Sequence, residues 1–220
     1  MKNGKELIKR SFEFEVRAEQ EGEEGKEQRD VIEGRAIVYG SMTDMGFMNE
    51  IIEPGALDGA DLTDVRFLVN HDLSRIPLAR SRQNNKNSTL QLTTDEKGLA
   101  VKAYMDTKNN SDARSLYSAV QRGDISGMSF MFSIDEEEWE DLESEKPTHR
   151  IKKISSVIEV SAVTFPAYED TEIYTRDKSA LESARRTLES EKDRVSALER
   201  AEETRREAEI IMMMYGGKTC

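Results

Sequence analysis

Three segments of the chain carry residues whose types could do chemistry together. His71 ends the apolar run Phe67-Leu68-Val69, in Asn70-His71-Asp72, where strand-like sequence gives way to polar residues. An imidazole at a strand end sits on a rigid scaffold and can take up a proton near neutral pH. The same pattern fits an ordinary loop histidine. Ser129 lies in Gly127-Met128-Ser129-Phe130-Met131-Phe132. A serine nucleophile needs a reachable hydroxyl and nearby backbone N–H groups for a developing oxyanion, and Gly127 allows close backbone approach. Met131 stands where a nucleophile elbow has its second Gly, and a strand follows instead of a helix, so the segment is not that elbow. Taken alone it also reads as a serine that opens a strand. Ser126 is a rival; Ser129 is preferred because it alternates with Met131 and Ser133, on the face opposite the bulky Phe130 and Phe132. Glu159 interrupts the apolar segment Val157–Val163. A carboxylate there either faces solvent from an edge strand or is buried against a partner, as when it accepts the Nδ1–H of an imidazole.

The second histidine, His149, sits in Lys146-Pro147-Thr148-His149-Arg150 and reads as a surface loop residue. One cysteine, Cys220, and two separated histidines fit no zinc spacing, and neither a metal nor a cofactor is expected.

The elements that must position these residues have a period of two. Phe12, Phe14 and Val16 alternate with charged residues, as do Ile32, Gly34, Ala36 and Val38; further strands are expected at 65–69, 89–93, 100–105, 129–134 and 157–165. Short strands separated by Gly, Asn and Asp predict an antiparallel sheet or small barrel. Asp95-Glu96-Lys97-Gly98 reads as a tight turn, with Gly98 at positive φ. Ser111 to Arg122 carries Ala113, Leu116, Tyr117 and Val120 at helical spacing, with Ser111 or Asp112 expected as the cap and Gly123 as the stop. Residues 178–210 contain neither Gly nor Pro and predict a long charged helix, with Leu181, Leu188 and Val195 seven apart.

Composition bounds the rest. The 220 residues carry a formal charge of −12, with 36% hydrophobic and 35% charged residues, lean for a globular chain. Residues 176–220 are balanced in charge, so the whole excess lies before them. Two acidic runs, Glu19–Asp30 and Asp135–Glu145, read as solvated loops, or as a mobile surface that meets a basic partner. An acidic chain is poorly suited to duplex nucleic acid, where Lys and Arg must replace counterions. No apolar run reaches the roughly 20 residues of a membrane helix, and the start of the chain lacks a secretory core. These features predict a soluble cytoplasmic protein with no nucleic-acid or membrane partner.

The order of the motifs carries a resemblance. Gly34–Gly40 (GRAIVYG), Glu53-Pro54-Gly55-Ala56-Leu57, Asn70-His71-Asp72, Pro77-Leu78-Ala79-Arg80, Asp95–Leu99 (DEKGL), Gly127–Phe132 (GMSFMF) and Glu159–Ala167 (EVSAVTFPA) follow one another. Together they resemble the prohead (capsid maturation) serine proteases of tailed bacteriophages, over about residues 30–175. Ala79 departs from the glycine common at that place in the family. The resemblance implies a small, mostly antiparallel β-barrel related to the herpesvirus assembly proteases. It implies Ser129 as nucleophile, His71 as general base and Glu159 as the acidic member, with His149 as a rival third member because herpesvirus relatives use a second histidine. It further implies a serine endopeptidase that cuts the scaffolding segment of the major capsid protein, and itself, inside an assembling procapsid in the host cytoplasm. Its partners are then the capsid protein and a second copy of the chain, as substrate or in a homodimer.

The expected organisation is residues 1–29 as an N-terminal strand and acidic loop of the protease domain, 30–175 as the barrel, and 176–220 as a charged helical segment that is a candidate for self-cleavage or targeting. The alternative is a non-catalytic scaffold or adaptor of capsid assembly, which has no need of Ser129 and His71. A small-molecule hydrolase of another fold is disfavoured by the missing elbow and the lack of βαβ alternation.

Overall fold

The alternating segments form strands, but the chain distributes them between two sheets. The computed structural model describes residues 7–13, 16–22, 28–83, 87–164 and 178–215. Phe14, Phe165–Ala167 and Cys220, each singled out above, lie outside the described residues. In chain order the elements are β1 (Ile8–Glu13), β2 (Arg17–Glu21), β3 (Arg29–Val38), β4 (Thr43–Asp44), β5 (Asn49–Ile52), β6 (Arg66–Val69), β7 (Ala79–Arg80), β8 (Leu90–Asp95), β9 (Gly98–Met105), α1 (Ser111–Arg122), β10 (Gly127–Glu140), β11 (Thr148–Val163) and α2 (Lys178–Tyr215). The protein is therefore mainly β with two helices among the described residues.

One sheet runs β1-β10-β11-β5-β4, with β6 also on β11 and β7 on β6; the other runs β2-β3-β9-β8. The expectation of one small antiparallel barrel is corrected on two points. The described strands form two sheets instead of a single closed barrel, and β11 pairs in parallel with both β5 and β6. The parallel pairing has a geometric cause: the chain from Asn49 to Val69 runs alongside β11 in one direction, meeting it at Thr148–Ile151, at a bridge between Asp61 and Ser156, and at Glu159–Ala162.

The core forms where the two sheets and α1 turn their apolar faces together. Ile32, Ile37, Leu90 and Leu99 come from the second sheet, Phe67, Phe130, Phe132 and Val160 from the first. Each fully buried side chain of this size contributes about 1.5–3 kcal/mol. Leu116, Tyr117 and Val120 of α1 join them, as the helical spacing predicts. The helix has the expected span, but its cap is Asn110 and neither Ser111 nor Asp112: the Asn110 side chain accepts from the N–H groups of Asp112 and Ala113. An Asn oxygen reaches two orphan donors at once, which leaves Ser111 free to be the first helical residue. Gly123 ends the helix at φ 78°. In the β8–β9 turn Gly98 has φ 133°, and a Cβ there would lie 2.0 Å from the Ile37 carbonyl oxygen, so only glycine fits.

Only the second half of the second acidic run, Asp141–Glu145, is a turn. Asp135–Glu140 continues β10, and its glutamates meet the basic stretch of β11: Glu138 pairs with Lys152, Glu136 with Lys153 at 3.7 Å, and Glu140 with Arg150 at 2.7 Å. Opposite charges across a ladder hold an exposed strand that apolar alternation does not reveal. Of the first run, Glu19–Glu21 belongs to β2 and Arg29-Asp30 to β3.

The chain divides into two units, Met1–Leu181 and Glu182–Cys220. The second unit holds most of α2, a helix of 38 residues whose described side chains are mostly exposed. Glu–Arg pairs at i,i+4 spacing, such as Glu202–Arg206 and Arg205–Glu209, lie along it. Of the expected seam, Leu188 and Val195 are half-buried.

Candidate active site

The site is built on three neighbouring strands. β10 lies between β1 and β11, and β6 pairs with the other edge of β11. Ser129, the third residue of β10, faces Ser161 of β11 and Ser11 of β1 in the antiparallel register. Phe130 and Phe132 point to the core, with ring centroids 4.8 Å apart, which leaves Ser129 and Met131 on the opposite face. Ser126, the rival, is exposed in the turn before β10.

His71 arrives from the end of β6. Its backbone and that of Asn70 are both left-handed, at φ 58° and 50°. Such residues cost about 1–3 kcal/mol each and persist only where neighbours over-determine them. The neighbours here are the last residues of β11. Asn70 donates its N–H to the Ala162 carbonyl at 3.0 Å, and its side chain donates to Thr164 Oγ1 at 3.2 Å and accepts the Thr164 N–H at 3.1 Å. The His71 N–H donates to Ser161 Oγ at 3.2 Å. The tight bend turns the ring back over the sheet.

There the three residues singled out from the sequence meet. His71 Nε2 is 2.5 Å from Ser129 Oγ, and His71 Nδ1 is 2.5 Å from Glu159 Oε1. The ring is 4% exposed, the Glu159 side chain 0% and Ser129 0%. Glu159 thus faces inward, not into solvent. A carboxylate accepting Nδ1–H fixes the tautomer that turns the Nε2 lone pair toward the hydroxyl. Ser161, two residues on and therefore on the same face of β11, donates its hydroxyl to Glu159 Oε2 at 2.5 Å. It bridges the carboxylate and the His71 backbone. The Glu-X-Ser spacing is a signal that the sequence offered and that sequence reasoning passed over. A hydroxyl, an imidazole and a buried carboxylate in one hydrogen-bonded chain form the constellation that acyl transfer requires. Beside it, a groove of about 450 Å³ opens between the His71 loop and α1, lined by Leu68, Ile76, Leu116 and Ile125 among others.

His149 is elsewhere, and it is no surface residue. It belongs to β11 and is fully buried. Its Nδ1 lies 3.0 Å from Glu50 Oε2, its Nε2 2.6 Å from Glu137 Oε2, and its ring stacks on Trp139 at 4.4 Å. The correction has a physical cause: Glu50, distant in sequence, supplies the partner that lets an imidazole enter the interior. Glu50 also takes the Arg10 guanidinium in a two-pronged pair, Nε to Oε1 at 2.5 Å and Nη2 to Oε2 at 2.6 Å. Burial works against the charged form of Glu50, but Arg10 and His149 outweigh it and hold its pKa at about 2. Burial likewise opposes the imidazolium of His149, yet the hydrogen bonds from Glu137 and Glu50 prevail and raise its pKa. Arg10 was passed over although it occupies the phase of Ile8 and Phe12, where an apolar residue is expected. One more contact joins the two clusters: Ser129 Oγ donates to the backbone carbonyl of Arg10 at 2.7 Å.

Comparison with known proteins agrees with the motif order. The profile of the caudovirus prohead serine proteases matches residues 12–186. The prohead protease of Enterobacteria phage HK97 is 32% identical over 165 residues, which cover 73% of this chain and 64% of that protein. A solved structure of the bacteriophage T4 capsid assembly protease matches 73% of this chain and 98% of its own, at 12% identity and a TM-score of 0.44. By the profile match and the identity to the HK97 protein, this chain belongs to the caudovirus prohead serine protease family.

Proposed function

We propose that this chain is a serine endopeptidase of procapsid maturation, in which Ser129 is the nucleophile, His71 the general base and Glu159 the residue that orients the ring. The single observation that supports this reading most is the unbroken hydrogen-bonded chain from the Ser129 hydroxyl through both nitrogens of His71 to Glu159. His71 takes the proton of Ser129 as Oγ bonds to the carbonyl carbon of the substrate. It then gives that proton to the leaving amine as the C–N bond breaks, and water resolves the acyl-enzyme by the same route in reverse. Glu159 stabilises the transient imidazolium; Ser161 holds the carboxylate in line.

The proposed substrates are the scaffolding segment of the major capsid protein and the chain itself, met inside the assembling shell in the host cytoplasm, with a homodimer as the candidate assembly. Family membership supports the setting, as do the acidic composition, which disfavours nucleic acid, and the lack of any described helix long and apolar enough to cross a membrane. Kinship with the herpesvirus assembly proteases is part of the same reading, and rests on the motif order. Residues 1–29 and 30–175 are proposed as one protease domain, and 176–220 as the segment that targets the enzyme to the shell or is removed by self-cleavage. Deletion of 176–220 is expected to lower incorporation into procapsids; unchanged incorporation removes that role.

The test of the activity is a paired incubation of the chain and its Ser129→Ala variant, each alone and with capsid protein, followed by intact mass over time. The parent is expected to shorten itself or the capsid protein, and the variant to leave both whole. If both stay inert the scaffold reading takes over, and if both cut alike the nucleophile is wrongly assigned.

A further inference from the structure

One of the groups hydrogen-bonded to the candidate nucleophile, besides His71, belongs to the N-terminal strand β1. β1 runs antiparallel to β10, with Ile8 opposite Phe132 and Glu13 opposite Gly127, so that its ladder passes directly over Ser129. The group it presents there is a main-chain carbonyl, that of Arg10, which accepts the Ser129 hydroxyl at 2.7 Å. A main-chain carbonyl is what any peptide substrate offers to a serine nucleophile. The strand is also placed as an added peptide would be: it is the edge of its sheet and pairs, among the described residues, with β10 only. Extended peptides are recognised at sheet edges by the same ladder.

We propose that β1 is a built-in substrate mimic: it covers the edge of β10 on which an extended peptide substrate docks, and the site opens to another chain only when β1 leaves. The inference rests on the peptidase reading above. Two physical points carry it. A hydroxyl has one proton, and while Ser129 donates it to Arg10 it cannot donate it to His71, so the docked strand holds the nucleophile in an unproductive orientation. Ser129 is also fully buried with β1 in place, so no second carbonyl reaches Oγ unless the first withdraws. The strand is held by features that can be released together: six residues of ladder on one side, the Ile8 side chain in the core, and the Arg10–Glu50 pair. A peptide that replaces β1 recovers the ladder and supplies its own carbonyl.

The experiment locks and loosens the strand in the full-length chain. Lys9 and Met131 are register partners across β1 and β10, so K9C/M131C, in a Cys220→Ser background, places two thiols across the ladder. Ser129 is then titrated with a fluorophosphonate probe, and its labelling rate is read by mass spectrometry in oxidised and reduced protein. Oxidised protein is expected to label at least tenfold more slowly than reduced protein, with the rate restored by dithiothreitol. Ile8→Ala, which loosens β1 without a cross-link, is expected to label several-fold faster than the parent, and an excess of the peptide IKRSFE is expected to slow it again. Equal rates in oxidised and reduced protein, or an unchanged rate in Ile8→Ala where the cross-link does not close, overturn the mimic while labelling of Ser129 leaves the peptidase reading intact. If no form is labelled at Ser129, the peptidase reading fails and the mimic falls with it.

Discussion

His71 and His149 are the chain's two histidines, and each is buried against a glutamate, yet their surroundings ask different things of the ring. His71 has a carboxylate on Nδ1 and a neutral hydroxyl on Nε2. One nitrogen is committed to the carboxylate, and the other faces a hydroxyl, the arrangement that the proposed role of His71 as general base requires. His149 has carboxylates on both sides, and both of its nitrogens are best used as donors. A ring held in that way favours its cationic form, which burial opposes and the hydrogen bonds to Glu137 and Glu50 support, and neither nitrogen faces a group that it could deprotonate. The lesson is that a buried His–Glu pair alone does not mark a candidate base; the group at the second nitrogen separates the two rings. It also accounts for why His149, the rival third member of the site, sits outside the Ser129–His71–Glu159 chain.

The sharpest way to break the comparison is to replace both rings with glutamine. His71→Gln is expected to lower the peptidase rate by on the order of 10⁶-fold, the scale seen when the histidine base is removed from a serine site. His149→Gln is expected to leave the Ser129 labelling rate of the folded protein near that of the parent and to destabilise it by about 3–5 kcal/mol in urea unfolding, as breaking a buried ion cluster does. If both variants lose rate and keep stability, the two rings are not functionally distinct.

Next in size is Ser161→Ala. It leaves one oxygen of the buried Glu159 without its donor, a loss of about 1–3 kcal/mol, or about ten- to a hundredfold in kcat with KM little changed. Ser161→Thr, which keeps the hydroxyl, is expected to recover most of the rate. A merely structural serine changes stability alone.

The ion cluster also has its own pH window. Glu50, ordinarily at 4.5, is held at about 2, so its contribution is present above 4.5 and lost as pH falls toward 2. His149 is raised above its ordinary 6.5, so its contribution is full below 6.5 and lost as pH rises through the higher folded value. The stability difference between the parent and His149→Gln, followed by urea midpoints, should therefore be greatest between about pH 4.5 and 6.5 and shrink on the alkaline side. The smallest effect belongs to the exposed ladder of β10 and β11. Glu138→Gln, which removes the pair with Lys152, is expected to change stability by less than about 0.5 kcal/mol, against the several expected for the buried cluster.

What could be read from the sequence was local. His71 at a strand end, Ser129 alternating away from two phenylalanines and Glu159 within an apolar strand were each visible because side-chain direction follows from a period of two. The limits of α1 and the β8–β9 turn followed from helical spacing and two glycines. What escaped depended on partners far along the chain. The burial of His149 needs Glu50, 99 residues away. The strand character of Asp135–Glu140 needs the lysines of β11, because isolated acidic sequence has no reason to extend. The shift of the helix cap to Asn110 turned on which of several adjacent polar side chains reached the first amides. The parallel pairings of β11 with β5 and β6 could not be read from strand patterns, which are blind to direction.

Those parallel pairings set the order in which the molecule can assemble. The bond between Ser129 and the Arg10 carbonyl spans 119 residues, and that between His71 and Glu159 spans 88. Folds of such high contact order close their loops before the contacts repay the entropy, and fold in roughly milliseconds to seconds rather than microseconds. A chain still on the ribosome has β1, β5 and β6 in hand but no β11 to align them. Ser129, His71 and Glu159 can therefore come together only after β11, which carries Glu159 and aligns β6 with β10, has been made.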